Sequence, residues 1–173
     1  NDSMDTVAKL TKYLATSDYE IRCVGVPKTI DNDLVGTDHT PGFGSAAKYI
    51  AATTKEIIRD GLVYDYPVVS VIEIMGRNAG WLTASSALAR KMGEAPDLIY
   101  LPEVAFDIDR FIEDVKEKLS QKNALVIAVS EGIKTADGKY MCESDSDQST
   151  DAFGHKFLSG TAAKLAGRIV ITI

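Results

Sequence analysis

The sequence predicts an α/β fold, a mainly parallel sheet covered by helices on both faces. Two observations carry that expectation. The runs VVSVIEIM (68–75) and NALVIAVSE (123–131) are nearly continuous in apolar and β-branched residues, as strands buried on both faces are. Between such runs the apolar residues recur at spacings of three and four, so strands and helices alternate along the chain. The architecture implied has three layers in α/β/α order.

The elements follow in order. SMDTVAKLTKYLA is a helix with Met4, Val7, Leu10 and Leu14 on one face, and Asn1, Asp2 and Ser3 are all good N-cap residues. EIRCVGV is a short strand ending at Pro27. From Gly44 to Asp60 the helical period returns, with Ala47, Ile50, Ala51 and Ile57 on one face and Gly61 placed as a stop. After the strand at 68–75, a helix rich in small residues runs from Asn78 or Gly80 to about Lys91. DLIYLPE (97–103) is the third strand. Asp107 caps a helix whose stripe is Ile108, Phe111, Ile112, Val115 and Leu119, with Asp114 four residues before Lys118 on its other face. The run at 123–131 is the fourth strand. Residues 132–156 are polar and turn-rich, a long excursion or part of a hairpin. A short helix near 157–166 and a fifth strand, RIVITI, end the sequence.

At 173 residues the chain is long enough for one large domain. The net charge of −6 argues against a nucleic-acid partner, which would require an excess of cations. A small phosphorylated ligand needs only a local cluster of them. Cys23 and Cys142 lack metal spacing, which suggests reduced thiols in a cytoplasm. No apolar run approaches 18 residues, so no membrane span is expected.

Three polar motifs follow strand ends: PKTIDND, MGRNAG and SEG. Ligands of parallel sheets bind past such ends. In TIDND, Asp31 and Asp33 are two apart, with Lys28 three residues before Asp31. One reading is that these residues form turns and caps. The other is a site for a divalent cation and phosphate, with one carboxylate taking a proton from a hydroxyl. Arg77 is either a surface arginine or a planar fork of donors for an anion. Glu131 is either a solvated strand end or an acceptor for a sugar hydroxyl. His39 and His155 have no partner spacing that suggests a metal.

PKTIDNDLVGTDHTPGFGSA, EIMGRNAGW, LPEV and VSEG, in this order and spacing, resemble the phosphofructokinase family across about residues 1–131. The resemblance implies two Rossmann-like lobes with the active site between them. Residues 1–40 would belong to the lobe that binds the phosphoryl donor, and residues 41–173 to the sugar-phosphate lobe. The implied reaction moves a phosphoryl group to the 1-hydroxyl of fructose 6-phosphate with Mg2+. By the same resemblance Asp31 is the general base and Asp33 helps at the metal and the base. Thr29 contacts the transferred group. Met75, Gly76 and Arg77 bind sugar, with Arg77 also stabilising charge in transit, and Glu131 holds the fructose.

Asn1-Asp2-Ser3-Met4 resembles the tail of the family's glycine-rich phosphate loop. Asn1 then stands where a metal-contacting Asp usually stands, which removes one charge. Asp2 and Lys28 resemble the branch that uses pyrophosphate. A carboxylate at position 2 repels the α-phosphate of ATP, and a lysine at 28 meets the concentrated charge of pyrophosphate. Two alternatives remain open: ATP as donor, or a phosphosugar-binding module without turnover. Val68 stands where an arginine reaching a neighbouring subunit's sugar phosphate is often found. The expectation is a piece of a longer, homo-oligomeric protein, inactive alone and with an exposed sheet edge.

Overall fold

The computed structural model describes residues 2–142 and 160–172, with the backbone alone at Asp2. At its centre lies β3 (Ala124–Ser130), with β1 (Val68–Ile74) on one side and β2 (Leu98–Tyr100) on the other, all parallel. The two-residue alternation of β3 divides its side chains between two cores. Leu125, Ile127 and Val129 pack with Phe111, Ile112 and Val115 of α4 (Ile108–Leu119) and Leu165 and Ile169 of α5 (Thr161–Thr172). Ala128 faces the other way, where Leu82 joins it and Phe43, Ala46 and Ile50 of α2 (Phe43–Gly61) pack alongside. The result is the expected three-layer α/β/α arrangement. β3 is almost wholly buried, whereas β1, an edge strand, is half-buried for most of its length.

Local chemistry sets the helix ends. The Asp107 carboxylate accepts from the N–H groups of Asp109 (2.9 Å) and Arg110 (3.1 Å), so α4 starts where its cap predicts. Asp114, which the spacing pairs with Lys118, instead accepts the Tyr100 hydroxyl at 2.8 Å and ties α4 to β2. The buried face of α2 is Ala47, Ala51, Thr54 and Ile58, so Ile58 takes the inward place expected for Ile57. Gly61 is the last residue of α2, and the chain leaves the helix through Leu62 with a right-handed backbone.

Three expectations fail, each for a physical reason. The helix at 80–91 is divided into α3 (Trp81–Ser85) and a 3-10 segment, Ser86–Met92. The Ser85 and Ser86 hydroxyls donate to the carbonyls of Leu82 (2.6 Å) and Thr83 (2.7 Å), three residues back, which competes with the α pattern. EIRCVGV is not a strand: no strand among those described pairs with it, and Ile21, Val24 and Val26 are exposed. α1 (Asp2–Leu14) lies beside it, with Met4 over Gly25. RIVIT is helical: Thr161, Leu165 and Ile169 form a buried stripe at four-residue spacing, while Val170 and Ile171 face solvent. Its β-branched composition misleads because the burial has the helical period. The excursion after Ile133 does contain a turn, closed by an antiparallel bridge between Lys134 and Tyr140. His155 and residues 143–159 lie outside the described residues. No helix among the described residues is long and apolar enough to cross a membrane.

The helical placement of RIVIT gives an asymmetry that a strand would not. Ile169→Ala should cost about 2–4 kcal/mol by leaving a cavity in the core. Ile171→Ala should stay within about 0.5 kcal/mol. Chemical denaturation of the two variants checks this; equal losses would contradict a helix here.

Candidate active site

The parallel register brings two of the polar motifs together. Ile74 pairs with Ser130, and the Glu131 N–H donates to the Ile74 carbonyl at 2.9 Å, so both strands end level. Met75-Gly76 and Glu131 therefore leave the sheet side by side. The buried Ser130 hydroxyl donates to the Gly76 carbonyl at 2.6 Å and accepts from the Gly132 N–H at 3.3 Å. The Gly76 N–H donates to Glu131 Oε1 at 3.1 Å. Gly76 has φ 138°, and a Cβ there would collide with the Ala79 carbonyl. At Gly132 a Cβ would occupy the place of the Arg77 carbonyl, so only glycine lets the Arg77 loop close over the turn after β3. On the far side Glu103, from LPEV, accepts from the Gly80 N–H at 2.6 Å.

The third motif is folded around one asparagine. Asn32 has φ 59° and is buried, its Nδ2 donates to the Asp38 carbonyl at 3.1 Å, and its Oδ1 accepts from the Thr40 N–H at 2.9 Å. Asparagine tolerates this left-handed conformation better than most residues. Ile30 packs toward Ile74 and Leu82, and Thr29 Oγ1 accepts from the Asp31 N–H at 3.1 Å. Thr29 keeps its own proton to donate. Asp31 is half-buried, and its Oδ1 is buried with no hydrogen-bond partner among the described residues. Lys28 and Asp33 are exposed.

Electrostatics join the motifs into one neighbourhood. Burial pushes the Asp31 carboxyl above its ordinary value and the Asp33 charge pushes it further, while Lys28 and Arg77 oppose both. Burial likewise raises Glu131, the Gly76 N–H opposes that, Asp31 and Glu73 raise it, and Arg77 lowers it. Charges of this kind act strongly only within about 10 Å. Asp31 thus lies within electrostatic reach of Lys28, Asp33, Arg77 and Glu131, Thr29 is bonded to its N–H, Gly76 is bonded to Glu131, and Met75 is exposed. Asn1 and the Asp2 side chain lie outside the described residues.

No cluster of three or more His, Cys, Asp or Glu that could hold a metal occurs among the described residues. Mg2+ needs fewer, since it commonly takes one or two carboxylates and fills its shell with water and phosphate oxygens. Exposed Asp33 beside half-buried Asp31 fits that mode. Sequence reasoning missed Ser130, Asn32 and Gly132 as supports of the site. The signal available was a hydroxyl ending a buried strand, with a glycine two residues later. His39 stacks near Phe43, ring centroids 5.9 Å apart, in keeping with a structural place.

The phosphofructokinase family model matches residues 1–171. The chain belongs to the phosphofructokinase family. A pyrophosphate–fructose 6-phosphate 1-phosphotransferase of Rhodospirillum rubrum is 46% identical over 165 residues, covering 94% of this chain and 40% of that protein. An ATP-dependent 6-phosphofructokinase 2 of Clostridium perfringens is 40% identical over 147 residues, 84% of this chain and 38% of that protein. The crystal structure of a pyrophosphate-dependent phosphofructokinase from Marinobacter aquaeolei superposes with TM-score 0.73 at 34% identity, covering 99% of this chain and 39% of that one. The chain thus spans about 40% of the length of the curated relatives it matches.

The raised Asp31 carboxyl has a consequence for stability. The folded protein holds this proton more tightly than the unfolded chain does, so Asp31 favours folding at low pH and that contribution is lost as pH rises through the raised value. Asp31→Asn should therefore raise the melting temperature at neutral pH. The gain should vanish below the ordinary value of 3.8. Thermal melts across this range test it; a lower melting temperature at neutral pH would contradict the burial and repulsion invoked.

Proposed function

We propose that this chain carries the sugar-binding side and the base of an enzyme that moves a phosphoryl group from pyrophosphate to the 1-hydroxyl of fructose 6-phosphate, giving fructose 1,6-bisphosphate in glycolysis. The observation that carries the reading is Asp31: a half-buried carboxylate with one unpartnered oxygen, which feels the charges of Asp33, Lys28 and Arg77 and itself acts on Glu131. Its raised proton affinity suits a general base, which works best when its pKa approaches the working pH. Relatives at 46% and 43% identity, both pyrophosphate–fructose 6-phosphate 1-phosphotransferases, support the same reading.

In this reading the fructose rests against Glu131, one oxygen of which is held by the Gly76 N–H. Asp31 accepts the proton of the 1-hydroxyl as the oxygen attacks one phosphorus of pyrophosphate, and the bond from that phosphorus to the bridging oxygen breaks, releasing inorganic phosphate. Arg77 stabilises the charge that spreads over the transferring group, and the Thr29 hydroxyl donates to it. Lys28 neutralises the donor. Asp33 and Asn1 are the residues that would hold Mg2+, which when bound would offset the negative charge of the phosphate oxygens. Residues 1–40 belong to the donor lobe and 41–173 to the sugar lobe. Cytoplasmic residence and self-association are part of the proposal; the two free cysteines support the first, and the sheet edges at β1 and β2 among the described residues support the second. A second reading, ATP as donor, is favoured by the Clostridium perfringens relative.

A coupled assay on the complete polypeptide, with pyrophosphate and ATP offered separately, tests the donor. Turnover with pyrophosphate is expected, and turnover with ATP alone would overturn that part. Asp2→Gly with Lys28→Gly should move preference toward ATP, and an unchanged preference would refute the selectivity argument. Asp31→Ser should lower kcat by about 10²–10⁴ while sugar affinity changes little. Normal turnover with weakened sugar binding would remove Asp31 from its role as base.

A further inference from the structure

Glu73 is out of place by composition. It sits within β1 between Ile72 and Ile74, in a strand that is otherwise apolar apart from Ser70, and it is half-buried. A carboxylate in such a place needs compensation. It finds it at the start of α5. Gly160, with φ 89°, precedes that helix and has no side chain to cap it. The first-turn N–H of Ala162 donates instead to Glu73 Oε2, at 2.9 Å across 89 residues of sequence. The carboxylate also meets the positive end of the helix dipole. One residue earlier in the same turn, the fully buried Thr161 donates from its hydroxyl to the Glu131 carbonyl at 3.3 Å. The first turn of α5 is therefore a strut with Glu73 at one end and Glu131 at the other.

We propose that Glu73 is a positioning residue for the sugar subsite: it holds the first turn of α5 on β1, Thr161 then fixes the Glu131 backbone, and the Glu131 carboxylate is aimed at the sugar. This rests on the reading of Glu131 as a sugar ligand made above. Glu73 touches neither substrate nor reacting atoms in this account. Its effect belongs to sugar binding, not to donor binding or to the chemical step. The contact requires an acceptor oxygen at position 73, which glutamine supplies and alanine does not.

The test uses Glu73→Ala, Glu73→Gln and the near-isosteric Thr161→Val in the complete polypeptide, with fructose 6-phosphate and pyrophosphate varied separately. Glu73→Ala should raise the sugar KM about tenfold, the equivalent of one charge-assisted hydrogen bond, with the pyrophosphate KM and kcat within about twofold. Glu73→Gln should recover most of the loss, and Thr161→Val should reproduce the pattern of Glu73→Ala by breaking the second link. An unchanged sugar KM, equal rises in both KM values, or a glutamine variant as impaired as alanine would overturn the proposal. If Glu73→Ala does not fold, Thr161→Val against Thr161→Ser decides by the same pattern. Amide hydrogen exchange separates this proposal from the functional reading. If the parent turns over neither substrate, that reading fails by itself, and faster exchange at Ala162 and Gly132 in Glu73→Ala still carries the strut, whereas unchanged exchange overturns it.

Discussion

The pairing of β1 with β3 is the constraint on which the rest depends. Its parallel register sets Ile74 opposite Ser130, so the two chains leave the sheet at one level. The next residues on each side are then neighbours without any further device. Three hydrogen bonds complete the join: Gly76 to Glu131, and Ser130 to both Gly76 and Gly132. A register slip of one residue would turn every side chain of a strand to the opposite face. Leu125, Ile127 and Val129 would leave the core they share with α4 and α5, so the apolar pattern protects the site geometry.

What the sheet assembles is costly to hold unliganded. Asp31 and Glu131 both keep their protons more tightly than ordinary carboxylates, through burial first, then through Asp33 at Asp31 and through Asp31 and Glu73 at Glu131. Lys28 and Arg77 offset this only in part. Perturbed carboxylates close to one another and to cations are a feature of sites built for chemistry. The compensation comes from rigid surroundings: Asn32 ties its loop to Asp38 and Thr40, and Ile30 anchors it in the apolar cluster with Leu82. Under the proposed function, a sugar phosphate and a charged donor are the partners of these groups.

Much of this was legible in the sequence, because the signals were local. The continuous apolar runs gave two strands, the Asp107 cap gave the start of α4, and the motifs MGR and SEG marked strand ends, whereas TIDND follows a segment that is not a strand. The failures lie where a local signal meets a tertiary condition. RIVIT is rich in β-branched residues, yet the core accepts it only as a helix buried through Ile169. EIRCVGV has strand composition and no strand to pair with among those described. Glu73 reads as an oddity within a strand until α5 arrives 89 residues later with a first-turn N–H for it to accept from. Ser130 is silent for the same reason, since its role depends on a glycine 54 residues away.

The proposed function rests on one spatial relation: a sugar held at the end of β3 would have its 1-hydroxyl within reach of Asp31. A crystal structure of the complete polypeptide with fructose 6-phosphate tests it most directly. The account predicts an Asp31 carboxylate oxygen about 2.6–3.2 Å from the 1-hydroxyl, with the Glu131 carboxylate and Arg77 on the same sugar. A sugar bound well to Glu131 with its 1-hydroxyl turned away from Asp31, or bound on another surface altogether, would contradict it.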